Sequence, residues 1–141
     1  MNRIIITLLL IASLPGCQQL QNKEQANVAV VQSMFDAFNR HDWPVMANHY
    51  ADSALFLDPS FGKDYVIRSQ HETAAKYAEM QMLFPDIRDD ITGMYSTGDN
   101  VIVEFTSSGK SGDSLSFSLP ISCVLTLKDG KIIRDATYYD L

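Results

Sequence analysis

The chain has 141 residues, 46% of them hydrophobic and 20% charged, with 17 acidic against 11 basic side chains and a formal net charge of −6. That length and apolar content suit one domain with its own core and leave little room for a second, and aromatic residues at 10% argue against disorder. The acidic balance, with no basic stripe to displace counterions from phosphates, argues against a nucleic-acid partner.

The first element is not part of the fold. In "MNRIIITLLLIASLPGC" one basic residue, Arg3, precedes an apolar run from Ile4 to Leu14. The run is shorter than the roughly 20 residues a membrane-spanning helix needs and has the layout of a secretory signal. Its end, Leu14-Pro15-Gly16-Cys17, resembles the lipobox of bacterial lipoproteins. That resemblance implies a signal peptide over residues 1–16, cleavage before Cys17, and a lipid on that cysteine. Several acyl chains make such anchoring stable. The expected location is the cell envelope, and in a Gram-negative cell the periplasmic side of the outer membrane, because Gln18 rather than Asp follows the cysteine. Residues 18–26, "QQLQNKEQA", read as a polar tether. With Cys17 carrying lipid, Cys123 has no intrachain partner. Its apolar surroundings, "LPISCVLTL", suggest a buried, inert thiol.

From Asn27 to Arg40, Val28, Val31, Phe35 and Phe38 recur three or four apart, which is one face of a helix. Asp42 can cap a second short helix with Pro44 in its first turn, and Trp43, Met46 and Tyr50 share a face there. "ALFLD" reads as a strand stopped by Pro59 and Gly62. Asp64 to Phe84 reads as a further helix, ended by Pro85. "DIRDDITGMYSTG" turns at Gly98-Asp99-Asn100 into "VIVEFTSSG", with Val101, Val103 and Phe105 on one face. "SLSFSLPISCVLTL" is a long strand, Asp129-Gly130 a tight hairpin turn, and "KIIRDATYYDL" the last strand. This order predicts an α+β domain, an antiparallel sheet covered by three helices on one face. A strongly bent sheet under helices leaves a cone-shaped hollow lined by the inward half of its strand residues, the concave and mostly apolar kind of place that ligands prefer.

The order of elements, together with "FNRHDW", "YADSALFLDP", "FPD" and "DGKI…YYD", resembles the NTF2-like superfamily, in particular its SnoaL-like polyketide cyclase and ketosteroid isomerase branches, over residues 27–141. The resemblance implies the NTF2-like cone. It says less about activity, because this fold hosts isomerases, cyclases, hydrolases, dehydratases and binding modules. In ketosteroid isomerases the general base is the Asp of a strand-ending Asp-Pro pair, here Asp58-Pro59. Their oxyanion donors, a Tyr on the first helix and a protonated Asp on a late strand, fall on Met34 and Ser122. Methionine has no donor, and a serine hydroxyl is a less oriented one. Since losing one oxyanion donor costs about 10²–10³ in rate, ketosteroid isomerisation is not expected. The SnoaL cyclases and limonene-1,2-epoxide hydrolases carry a carboxylate three residues before the Asp that ends the last strand. That position is Thr137, and the adjacent Arg of the hydrolases is Ala136. Asp135 can substitute only from two residues upstream, about 7 Å along the strand.

Asp58 therefore has two readings. Facing a cavity among Trp43, Phe56 and Phe105, it is a base whose pKa desolvation raises; at the surface, it only hydrogen-bonds the turn at Ser60–Gly62. His71, in the stripe Ile67, His71, Ala74, Ala78, is either a second acid/base at the rim or a partly buried, hydrogen-bonded histidine. His41 and His49 have polar neighbours and read as solvated. No His pair has ligand spacing, so no metal site is expected. With no Gly-rich phosphate loop and no GxSxG, neither a nucleotide cofactor nor a serine nucleophile is expected. By strand parity Asp135, Thr137 and Tyr139 point into the hollow, while Tyr138 and Asp140 point away and are either structural or part of a dimer face, since family members commonly dimerise through the sheet. The expected function is to hold a small, mostly apolar organic molecule. Either the protein is a cofactor-free isomerase, cyclase or lyase with Asp58 as base and polar contacts from Ser122, Asp135, Thr137 or Tyr139, or it is a non-catalytic ligand-binding or envelope accessory module. The retained Asp-Pro favours the first, the missing oxyanion donors the second.

Overall fold

In the computed structural model, residues 15–112 and 115–140 are described. The expected signal segment up to Leu14, and the side chain of Cys17, lie outside the described residues. Among the described residues three helices and six strands follow in order: α1 (Pro15–Asn39), α2 (Trp43–Ala47), β1 (Tyr50–Leu57), β2 (Val66–Ser69), α3 (Gln70–Leu83), β3 (Arg88–Thr97), β4 (Asn100–Ser111), β5 (Leu115–Lys128) and β6 (Lys131–Tyr138).

The strands form one sheet in the order β2-β1-β6-β5-β4-β3. Every neighbouring pair is antiparallel except β1 and β6, which run parallel. The parallel pair is possible because β1 is separated from β6 by the whole α3–β5 excursion, more than the dozen residues a parallel crossover needs. Register shifts at Tyr50/Leu55, Ile91/Gly93 and Thr126/Leu127 mark bulges on β1, β3 and β6, and bulges bend a sheet and increase its twist. The β5–β6 turn is closed by Asp129 (φ 50) and Gly130 (φ 73), the two left-handed residues a type I′ hairpin requires.

The helices cover the concave face. Val31, Met34, Phe35 and Phe38 on α1 are buried against Val101, Val103 and Phe105 of β4, with the Phe35 and Phe105 rings edge-on at 5.0 Å. Phe38 also meets Trp43 and Tyr77 edge-on, at 5.2 and 5.3 Å. Burying each such ring is worth about 2–3 kcal/mol, so this seam of α1, α2, α3 and β4 fixes where the helices sit.

Three elements depart from the pattern expected from the sequence. Residues 18–26 do not hang free as a tether: they are helical, continuous with α1. Gln, Lys, Glu and Ala are good helix formers, and the segment is tied to the sheet. Lys23 pairs with Asp99, Glu24 Oε1 accepts the Gly98 N–H at 2.7 Å, and Asn27 Nδ2 donates to the Gly98 carbonyl at 3.2 Å. The single helix expected from Asp64 to Phe84 is instead strand β2 followed by α3. Val66 and Ile67 pair with Phe56 and Leu55 of β1, and a capping box starts the helix at Ser69. The Ser69 N–H donates to Glu72 Oε2 at 2.8 Å and the Glu72 N–H to Ser69 Oγ at 3.2 Å. Tyr50, expected on the face of α2, is the first residue of β1.

Candidate functional site

Between the helices and the concave face lies a cavity of about 240 Å³. Its walls are mostly apolar: α1 contributes Met34 and Phe35, β4 Phe105, and β5 Phe117 and Ile121. Phe84, just past α3, closes one end by packing edge-on against Phe117 at 4.8 Å. Gly109 makes that closure possible, since a Cβ there would stand 2.9 Å from the Phe117 ring and 3.0 Å from Phe84 Cβ. Three polar groups break the apolar lining.

The first is centred on Asp58. It ends β1 and caps the short 3₁₀ turn Pro59–Phe61, with the Ser60 N–H donating to Oδ1 at 2.8 Å. Tyr139 donates its hydroxyl to the same oxygen at 2.7 Å, and Lys76 of α3 donates to Oδ2 at 2.8 Å. The Lys76 ammonium also lies over the Phe61 ring, 4.1 Å from its centre, a cation–π contact that helps hold it in place. Burial pulls the Asp58 pKa upward, but the attraction of Lys76 and the hydrogen bonds from Lys76, Ser60 and Tyr139 outweigh it, and the net displacement is downward. The expectation that desolvation raises this pKa is thus reversed, because nothing in the sequence around Asp58 announces the lysine. Tyr139 is pushed up to about 12, by burial and by the hydrogen bond to Asp58.

The second group lies within β6 and β1. Asp135 accepts hydrogen bonds from Tyr50 Oη at 2.8 Å and Thr137 Oγ1 at 2.9 Å. Burial raises its pKa, and the two hydrogen bonds draw it back only in part.

The third is Asp89 on β3. It is 7% exposed and borders the cavity together with Ser107, its partner across the β3–β4 ladder. Its main chain is clamped from α1: Asn39 Nδ2 donates to the Asp89 carbonyl and the Asp89 N–H to Asn39 Oδ1, both at 2.8 Å. Its Oδ1 is buried without a hydrogen-bond partner. Burial raises the carboxyl to about 7, against a hydrogen bond from Ser107 that lowers it.

Of the residues singled out from the sequence, Met34, Asp58, Phe105, Asp135, Thr137 and Tyr139 meet around this cavity. The others do not. Ser122 faces the opposite side of the sheet, beside Thr92, Glu104 and Tyr138, because the inward positions of β5 are Ile121 and Cys123. His71 is exposed at the start of α3 and is absent from the cavity wall. Phe56 is buried behind the site, against Tyr50 at 5.1 Å. Trp43 is buried at the α1–α2 corner, stacked between His41 and Tyr77. Its indole N–H donates to Gln81 Oε1 at 2.8 Å. Gln81 in turn bonds His41 Nδ1 at 2.9 Å, and His41 Nε2 bonds the Ile87 carbonyl at 2.7 Å. Since a carbonyl only accepts, Nε2 carries the proton and Nδ1 receives the Gln81 amide. His41, expected to be solvated, is a structural link. Lys76, Asp89 and Ser107 are site residues that sequence reasoning missed. For Asp89 a signal is present: Ile87, Asp89 and Ile91 alternate with exposed residues, which puts the acid on the inward face.

A bent mixed sheet under three helices, with an apolar chamber bordered by the residues that follow β1, defines an NTF2-like protein. The chain belongs to the SnoaL-like domain family, which matches over residues 31–135. Among solved structures it is similar to an LEH-like epoxide hydrolase from M. tuberculosis (19% identity, TM-score 0.71, 84% of this chain and 85% of that one). It is also similar to a protein of ketosteroid isomerase-like fold from Catenulispora acidiphila in complex with trimethylamine (18%, 0.70, 79% and 85%). A third similar structure is a protein from Jannaschia named for the SnoaL-like polyketide cyclases (20%, 0.68, 83% and 87%). At these identities the likeness is one of fold. No curated protein matches the sequence.

Proposed function

We propose that this protein binds a small, mostly apolar organic molecule in the chamber, as a non-catalytic receptor or accessory protein of the cell envelope held to the membrane by lipid on Cys17. The observation that carries the binding reading is the chamber itself, about 240 Å³ of mostly apolar wall interrupted by a few convergent polar groups, the usual make-up of a ligand site. That volume is below the roughly 300–1,000 Å³ of drug-sized sites, so the ligand is small. Asp58 weighs against turnover as the primary role. Three donors already engage its carboxylate and its pKa is lowered, so a proton taken there near neutral pH is poorly held.

One observation keeps a second reading in play: Asp58 is ionised, borders the chamber, and occupies the Asp-Pro position of the ketosteroid isomerase-like proteins. In that reading the protein is a cofactor-free isomerase, cyclase or lyase with Asp58 as base. Native mass spectrometry of the protein purified from its own host tests the first reading, with a co-purifying small molecule expected and an empty, ligand-refractory chamber refuting it. Asp58→Asn separates the two: retained ligand with no lost turnover supports the receptor, whereas loss of a measurable proton transfer supports the enzyme. Palmitate labelling that disappears in Cys17→Ala, with release from the membrane fraction, tests the anchor. A homodimer through the outer sheet face, where Tyr95, Ile102 and Val124 align across β3, β4 and β5, is part of the same proposal. Light scattering of the soluble domain checks it.

A further inference from the structure

We propose that the chamber takes its ligand as a cation, a small apolar amine in protonated form, with an ammonium N–H on the buried, unpartnered carboxyl oxygen of Asp89. This inference rests on the ligand-binding reading above and names the ligand class.

Among the described residues lining the chamber there are three carboxyl groups, Asp58, Asp89 and Asp135, and one ammonium, Lys76. Lys76 is spent on Asp58, and Asp135 is closed by Tyr50 and Thr137. Asp89 is left with an oxygen that none of those residues answers. An ionised, buried carboxyl oxygen without a partner carries a desolvation cost that an incoming donor relieves. The group cannot escape by shifting its backbone, because Asn39 clamps both its N–H and its carbonyl. An anionic ligand would enter a chamber whose carboxyl groups outnumber its single, already paired ammonium.

The apolar part of the wall suits a cation as well. Phe35, Phe38, Tyr77, Phe84, Phe105 and Phe117 all border the space. Aromatic faces attract desolvated alkylammonium groups through the ring quadrupole. A neutral alcohol can also donate to Asp89, but it forgoes both the charge on the hydrogen bond and the attraction of the rings. Charge-assisted hydrogen bonds are roughly twice as strong as neutral ones, so the amine should be favoured by about tenfold or more.

The test compares three probes of one shape on the full-length protein in detergent at pH 7.5: cyclohexylmethylamine, cyclohexylmethanol and cyclohexanecarboxylate, by isothermal titration calorimetry. The amine should bind at least tenfold more tightly than the alcohol, and the carboxylate should be the weakest. Asp89→Asn should weaken the amine by tenfold or more and leave the alcohol nearly unchanged. Equal affinity of amine and alcohol, or an amine preference that survives Asp89→Asn, overturns the cation inference and leaves the binding reading standing. Failure of all three probes to bind overturns both. If Asp89→Asn loses its circular dichroism signature of folding, the comparison of amine with alcohol on the unaltered protein decides alone.

Discussion

Replacing Asp89 with asparagine should change the way stability depends on pH. In the folded chain burial lifts this carboxyl from its ordinary 3.8 to about 7. Below 3.8 it is protonated whether the chain is folded or not, and folding is insensitive to it. Between 3.8 and 7 the unfolded chain has released the proton and the folded chain still holds it, so stability falls as pH rises through this window. Above 7 both states are ionised and the whole cost of burying the charge is in place. A displacement of about three on the pH scale, at about 1.36 kcal/mol for each, comes to about 4 kcal/mol, a large fraction of the 5–15 kcal/mol that typically separates folded from unfolded domains. Asp135, also raised by burial, acts in the same direction, and Asp58, lowered, acts in the opposite direction below 3.8. Both are present in the parent and the variant and drop out of the difference. Asparagine keeps the shape and can still meet Ser107. Urea unfolding followed by far-ultraviolet circular dichroism at pH 4, 5.5, 7 and 8 gives that difference directly. The variant should gain on the parent by about 4 kcal/mol between pH 4 and pH 8. Two curves that stay parallel across this range would mean that the carboxyl is solvated or already partnered, and the reading of Asp89 as an open group would be wrong.

Lys76→Met should raise the Asp58 pKa, because the attraction and hydrogen bond that hold it down are lost, seen in the ¹³C carboxyl titration; an unmoved titration would show that Lys76 does not hold it down. Because the side chains of that pair are only 18% and 14% exposed, the same change should cost about 1–3 kcal/mol at pH 7. Gly109→Ala should cost about 1–3 kcal/mol, since the added methyl meets the Phe117 ring and Phe84 Cβ at 2.9 and 3.0 Å; an unchanged unfolding midpoint would contradict the closeness of that packing. Gln81→Leu, which strips the acceptor from Trp43 and the donor from His41, should destabilise by about 1–3 kcal/mol in urea, and a neutral result would remove the buried link as a stabilising feature.

The fold is legible where periodicity and turn chemistry agree. The apolar face of α1, the inward trio Val101, Val103 and Phe105, and the Asp129-Gly130 hairpin each follow from spacing and backbone preference alone. The segment 64–84 is harder, because a helical stripe beginning at Ile67 masks two signals. Val66 and Ile67 are β-branched, and Ser69-Gln70-His71-Glu72 is a capping box that marks a helix start. Once α3 begins at Gln70, its inward residues are Thr73, Tyr77 and Met80, and His71 must point out. Lys76 then lies beside that face, within reach of the end of β1. The sequence shows an Asp before a proline. It does not show that an ammonium from eighteen residues on will lie 2.8 Å away, because that pairing depends on how α3 packs across the sheet. Ser122 fails for a smaller reason: transferred by alignment to its relatives' acid, it stands one residue out of phase with the inward side of β5, and a one-residue offset sends a strand side chain to the other face.

The same packing that makes Asp58 a poor base also decides how a ligand can lie. At the Asp58 end a ligand's polar group must compete with Lys76, Tyr139 and the Ser60 N–H, all already bonded to the carboxylate. Displacing the ammonium there would leave a largely buried charge unpaired, a cost that one new hydrogen bond from the ligand does not offset. At the Asp89 end no ion pair has to be broken, and a donor that reaches the unpartnered oxygen relieves the desolvation cost of that buried group. Two of the three carboxyl groups in the cavity are thus driven apart, one held ionised by three donors, the other raised to about 7 with an oxygen unpartnered. That asymmetry directs the polar end of the guest to β3 and leaves its apolar body to the rings of α1, β4 and β5.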